Sequence, residues 1–145
     1  MDWPGQSLAV WEDVGEPAAV ARIRRNQARV ALAKGDIPGA EELLRGALAA
    51  FRCVGWGQLV AFCLDGLAGA ASLSDRPERA LRLAGAAAAL RRARGTQVPI
   101  GERPELDRWL APACRALGAR GGEVRREGET MTMGEACTLA LDADA

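Results

Sequence analysis

The chain is 145 residues long and carries 19 basic and 19 acidic side chains, so its formal net charge is zero. This length fits one domain with a core of its own, and the balanced charge excludes a long-range attraction to nucleic acid or anionic membranes. Apolar residues make up 49% of the sequence, with only four Trp and two Phe, a composition that favours helices over strands.

The sequence lacks the residues that several classes of enzymatic chemistry require. The chain has no His, which excludes Ser–His and Cys–His nucleophilic pairs, and no GxxxxGK[ST] phosphate loop. We therefore predict no enzymatic activity and no cofactor. Cys53, Cys63, Cys114 and Cys137 show no CxxC spacing, which predicts small buried side chains in a reducing cytoplasm rather than a zinc site. No signal peptide or membrane-spanning run is recognisable, so we expect a cytoplasmic protein without a membrane partner.

Glycines and prolines divide the chain into helices. Residues 1–15 resemble the second helix of an incomplete repeat, and the breakers that follow predict helices over residues 17–34, 38–54, 56–73, 77–95 and 102–117. Pro112 is expected to kink the last of these or split it in two. A short helix over residues 123–127 and a final helix over residues 132–141 complete the chain, the latter opened by a capping box at Thr132 and Glu135.

The sequence repeats itself with a period of forty residues. Gly15, Gly55 and Gly95 mark the same point of each copy, and further equivalent pairs are Ala28 and Ala68, Ala40 and Ala80, and Ala47 and Ala87. A fixed period in this range is typical of stacked helix pairs, which usually bind partners. The prediction is a single all-α domain with a half repeat at residues 1–15, full repeats at 16–55 and 56–95, and capping helices at 96–145.

The spacing of Ala28, Ala40 and Ala47 resembles the tetratricopeptide repeat, whose small packing residues fall at these intervals. The usual period of that family is about 34 residues, so the helices or loops are longer here. The resemblance implies a right-handed superhelix of helix pairs. The first helix of each repeat would then line a concave groove.

A second resemblance covers about two thirds of the chain. Residues 77–87 and 127–136 resemble the helical C-terminal region of large ATP-binding LuxR-type transcriptional regulators of bacteria, whereas residues 123–126 depart from that pattern. The resemblance implies a region that recognises a protein or a small effector. The ATPase and helix-turn-helix domains of that family are absent from this sequence. A stack that begins inside a repeat resembles the tail of a longer protein.

The groove predicted from the repeats has a basic wall and an apolar floor. One helical face of the first full repeat and the equivalent positions of the second supply its residues: Arg22, Arg25, Asn26, Arg29, Phe62, Asp65, Gly66 and Gly69. Arginine suits the recognition of an acidic peptide or an anionic small molecule, because its planar guanidinium group can donate two hydrogen bonds to one carboxylate. A solvated face that balances Glu12, Asp13 and Glu16 is the alternative. Close helix packing is the other explanation for Gly66 and Gly69.

Three functions remain open from the sequence. The first is a recognition module of a bacterial regulator, which binds a protein or small effector, and the second is a free-standing protein of the same fold that binds or sequesters a small molecule. The third is homo-oligomerisation through the half repeat at residues 1–15. Direct nucleic-acid binding through Arg91, Arg92 and Arg94 is not expected, since no aromatic side chains interleave with them.

Overall fold

The computed structural model describes residues 17–54 and 57–142, apart from the side chains of residues 17, 18, 21, 22, 52–54, 57 and 58. All regular secondary structure in these ranges is helical. The predicted half repeat at residues 1–15, and with it the proposed oligomer contact, lies outside the described residues. So do Trp3, Trp11 and Trp56.

Two helix pairs form the first part of the described fold. They are α1 (Pro17–Ala33) with α2 (Ile37–Val54), and α3 (Gly57–Leu73) with α4 (Pro77–Arg94). Every bound of the second pair lies forty residues after its counterpart in the first. The helix bounds predicted from the breakers agree with these to within one residue.

The turn inside each pair is built in the same way. Gly35 and Asp75 occupy equivalent positions, and their φ angles are 82° and 63°. One residue later, the N–H of Asp36 donates to the carbonyl of Ala31, and that of Arg76 donates to the carbonyl of Ala71, both at 2.8 Å. A left-handed residue followed by such a backward hydrogen bond ends a helix and satisfies its last carbonyls.

The core lies where the helices cross, and its crossings are lined by alanine. The alanines matched by the forty-residue period are each at most 1% exposed: Ala28, Ala40, Ala47, Ala68, Ala80 and Ala87. Small side chains let two helix axes approach closely, and larger ones such as Leu44, Phe51 and Leu64 fill the space beside them.

Three further helices cover the pairs. A short 3-10 turn (Ile100–Glu102) leads into α5 (Arg103–Leu117), and a second turn (Gly118–Arg120) leads into α6 (Gly121–Glu129), followed by α7 (Met133–Leu141). The predicted capping box at the start of α7 is confirmed. The Thr132 hydroxyl accepts from the Glu135 N–H at 3.1 Å, and the Glu135 carboxylate accepts from the Thr132 N–H at 2.9 Å.

Two expectations for the capping helices need correction. The predicted split at Pro112 is wrong, because α5 continues through it as one helix. Burial of Leu110 and Ala113 fixes this part of α5 on the core, and the Ala113 N–H donates to the Ser72 hydroxyl of α3 at 3.1 Å. The helix predicted over residues 123–127 is longer at both ends, since it includes the buried glycines Gly121 and Gly128.

The contact between α4 and α6 is a direct approach of two backbones. A Cβ atom added to Gly85 would overlap the carbonyl oxygen of Arg125, and one added to Gly128 would overlap the carbonyl oxygen of Arg82. Each glycine therefore makes room for the main chain of the other helix. This contact fixes the position of α6 against the second helix pair.

Candidate functional site

A cavity lies between the faces of α1 and α3 that the repeat pattern singled out. The cavity proper is small, about 40 Å³, and the space reaches about 440 Å³ only when its open mouth is included. Arg25 and Arg29 of α1 line one side, and Phe62, Asp65 and Gly66 of α3 line the other. We call the surface formed by these five residues the α1/α3 groove. A basic wall thus faces a floor that contains an aromatic ring.

Two predicted groove residues, Asn26 and Gly69, do not line this cavity. Asn26 is exposed, since the neighbouring helical positions Arg25 and Arg29 carry the face turned toward α3. Gly69 is buried beneath Trp109, whose Cε3 atom would lie 2.9 Å from an added Cβ atom. The side chain of Arg22 is outside the description, although its backbone belongs to α1.

The glycines of α3 serve close packing rather than an open surface. A Cβ atom on Gly66 would lie 2.7 Å from Leu44 Cδ1, and Gly69 meets the indole of Trp109. Trp109 packs against the core, where a large ring contributes much of the burial of a small domain. Of the two explanations for these glycines, close helix packing is the one that the structure supports.

The basic wall makes ion pairs with the capping region. Arg29 Nε and Nη2 donate to the two carboxylate oxygens of Glu105 at 2.8 Å each, and Arg29 Nη1 lies 3.2 Å from Glu102. Arg25 also pairs with Glu102. The hydrogen bond with Glu105 raises the pKa of Arg29, and the same bond lowers the pKa of Glu105. The two arginines therefore already hold carboxylates, supplied by the same chain.

The occupying segment is the start of α5, and its pattern complements that of α1. Glu102, Glu105, Leu106 and Trp109 all line the cavity. They follow the spacing i, i+3, i+4, i+7, so they share one helical face. The same spacing relates residues 22, 25, 26 and 29 of α1. The alternative partners of these arginines, Glu12, Asp13 and Glu16, lie outside the described residues. The matching spacing of Glu102 and Glu105 is the signal in the sequence that points to this pairing.

A buried ion pair closes the inner end of the groove. Asp65 of α3 pairs with Arg91 of α4, and both residues are buried. Burial raises the pKa of Asp65, and the charge of Arg91 opposes that rise. The guanidinium of Arg25 lies 4.2 Å from the centre of the Phe62 ring and that of Arg91 lies 5.6 Å from it, so the ring attracts both cations.

The cysteines are in two different environments. Cys63 and Cys137 are buried, as predicted, and burial raises the pKa of Cys63 to about 12. Cys114 contradicts the prediction, because it is exposed. The side chain of Cys53 is outside the description. Among the described residues, no group of three or more potential metal ligands comes together.

No helix in the described ranges combines the length and the apolar character needed to cross a membrane. Comparison with known proteins adds no relative. No family model matches the chain, and neither the curated proteins nor the solved structures contain a significant match. The functional interpretation rests on the residues of the groove and the helices that place them.

Proposed function

We propose that this chain is a non-enzymatic helical-repeat module that recognises an acidic segment of a partner protein in the α1/α3 groove. In keeping with its sequence resemblance, it would be the sensor region of a bacterial LuxR-type transcriptional regulator in the cytoplasm. The exact forty-residue offset between the two helix pairs supports a tetratricopeptide-like stack, in which the first helices of the pairs line the binding face.

The observation that carries the proposal is the two-bond contact between Arg29 and Glu105. It supports a ligand with the same pattern: the start of a helix with two carboxylates three residues apart, followed by apolar side chains. Arg25 and Arg29 bind the carboxylates, and the apolar side chains lie against Phe62 and Gly66. A partner segment with this pattern would take the place of the start of α5.

Competition with α5 sets the affinity for a partner. The internal segment is covalently attached, so its effective concentration at the groove is high, and a partner must displace it or bind when it has moved away. The ion pairs at the start of α5 are partly exposed and each contributes little, so the main cost of displacement is the packing of Leu106 and Trp109 against the core, which the partner's apolar side chains must replace. The groove then reports whether an acidic partner is present.

The test uses a fluorescently labelled peptide of residues 99–111, which contains the internal acidic stripe. Its affinity is measured by anisotropy for the unaltered protein, for an opened variant (Glu102→Gln with Glu105→Gln), and for a variant without the basic wall (Arg25→Ala with Arg29→Ala). We expect the opened variant to bind most tightly and the variant without the wall to bind least.

The matched control is the same peptide with Gln at both glutamate positions, which should bind the opened variant at least about tenfold more weakly. The proposal fails if the opened variant does not bind the acidic peptide. It also fails if removal of Arg25 and Arg29 leaves the affinity of the full-length protein unchanged.

A free-standing protein that binds a small molecule is the second candidate. A neighbouring cleft lined by Arg91, Arg92, Arg103 and Arg125 favours it.

A further inference from the structure

A second cavity system adjoins the α1/α3 groove, since Arg91 and Val98 line both. One part, of about 970 Å³ with its open mouth, is bounded by α4 and by the connection between α4 and α5. The other, of about 860 Å³, continues between α4, α5 and α6. Ala88, Arg91, Val98 and Arg103 line both parts, so they form one continuous cleft. We call it the arginine cleft.

The cleft has more positive than negative charge. Arg91, Arg92, Arg103 and Arg125 line it, whereas its only acidic lining residues among the described ones are Asp65 and Asp107. The nearest approach between Arg103 and Asp107 is 3.9 Å, and both side chains are about two-thirds exposed, so this pair contributes little.

Arg103 and Arg125 are therefore the arginines of the cleft that are available to bind an anionic ligand. Asp65 is paired with the buried Arg91, and Arg125 makes no ion pair with any described residue. Arg103 and Arg125 come from different helices, α5 and α6, and approach the same space from two sides. Such a pair can bind one anionic group between two planar guanidinium groups.

A polar group without a partner lies in the same cleft. The hydroxyl oxygen of Thr96 is buried and has no hydrogen-bond partner among the described residues. Buried hydroxyls nearly always find a partner, and an orphaned one beside cationic side chains is suited to donate to an anion.

The other lining residues of the cleft indicate what kind of molecule carries the anionic group. Ala88, Val98, Leu106 and Leu110 present apolar surface, and the size of the cleft is that of a typical small-molecule site. We propose that the arginine cleft binds a small organic carboxylate, whose carboxylate is held by Arg103 and Arg125 and whose apolar body lies against Val98 and Leu110. Thr96, in the adjoining part that Arg103 also lines, is a donor for a second polar group of the ligand. The proposed ligand differs from the acidic segment of the α1/α3 groove, but the cleft and that cavity share Asp65, Arg91, Val98 and Leu106.

Octanoate is a suitable probe, with octanamide as its uncharged match and inorganic phosphate as an anion without an apolar body. Binding is measured by calorimetry and by the rate at which iodoacetamide alkylates Cys114, located by mass spectrometry. Cys114 is exposed and lines the cleft, so a bound ligand should protect it. We expect octanoate to bind and to slow the alkylation of Cys114, and octanamide to do neither.

The variants Arg103→Gln and Arg125→Gln should each weaken octanoate binding about tenfold or more. Arg115→Gln is the matched control, since Arg115 lies on α5 but outside the cleft, and it should bind as the unaltered protein does. Equal binding of octanoate and octanamide would overturn the proposal, as would unchanged alkylation of Cys114 at millimolar octanoate. Protection by phosphate alone would also overturn it, because the apolar wall would then play no part. The alkylation readout needs no variant and so does not depend on whether a variant folds.

Discussion

Arg29 of α1 donates two hydrogen bonds of 2.8 Å to the carboxylate of Glu105 in α5, across 76 positions of the chain. This contact joins the first helix pair to the capping helices at the one face that the repeat pattern marks as a binding surface. It also explains why that face is basic in a chain without net charge: its acidic counterpart is carried by the cap.

The strength of this contact is measured by a double-mutant cycle with Arg29→Ala and Glu105→Ala in urea unfolding. Both side chains are about one-quarter to one-third exposed, so solvent screens the pair, and we expect a coupling energy of about 0.5–1 kcal/mol. The Arg103–Asp107 pair is the control and should give a coupling near zero. A coupling of zero for Arg29 and Glu105 would mean that the contact does not hold α5 in solution.

The same pair makes stability depend on pH. The folded-state pKa of Glu105 is lowered by its hydrogen bond with Arg29 from the ordinary value of 4.5, so the ionised form stabilises the fold. This contribution is present above pH 4.5 and is lost as the pH falls below it through the lowered pKa. The variant Glu105→Gln should therefore lose less stability between pH 6 and about pH 3 than the unaltered protein. Parallel losses in urea unfolding series would contradict this assignment.

Gly85 and Gly46 form a matched pair for the contact between α4 and α6. Both lie within helices, but a Cβ atom on Gly85 would overlap the Arg125 carbonyl, whereas one on Gly46 meets nothing within 4 Å. We expect Gly85→Ala to destabilise the protein by about 1–3 kcal/mol through overpacking. Gly46→Ala should stabilise it by about 0.5–1 kcal/mol, because alanine has the higher helix propensity. Equal effects of the two changes in thermal unfolding would refute the close backbone approach.

The two equivalent turns predict opposite effects of substitution. Asp75 has a φ of 63°, a conformation that is unfavourable for residues with a Cβ atom. Asp75→Gly should therefore raise the free energy of unfolding by about 1 kcal/mol. Gly35→Ala should lower it, since Gly35 has the same left-handed conformation. A loss of stability on Asp75→Gly would show that the aspartate side chain contributes more than its backbone strain costs.

Local signals in the sequence predict much of this fold. Gly35, Pro77 and the Thr132 capping box mark helix ends that the structure places within a residue of the prediction, because caps and breakers act through neighbouring residues. The matched alanines locate the crossings, since only small residues fit there. The repeat pattern also brings Arg25, Arg29, Phe62 and Asp65 to one cavity.

Local sequence signals do not predict which segment of the chain covers the α1/α3 groove. Which segment lies on the arginines depends on the long-range path of the chain through residues 95–103 and on the packing of Trp109 over Gly69. The same holds for Gly85 and Gly128, which resemble ordinary helix-weakening glycines until the two backbones are seen to meet. Pro112 shows the reverse, because tertiary packing preserves a helix that local propensity would interrupt.

The most direct test of the account is the amide hydrogen exchange of α5 with and without the peptide of residues 99–111. The account predicts that the saturating peptide speeds exchange in residues 103–117 while α3 and α4 stay protected, because the peptide takes the place of the internal acidic stripe. Binding of the peptide with the protection of α5 unchanged would place it elsewhere and contradict the α1/α3 groove as the recognition site.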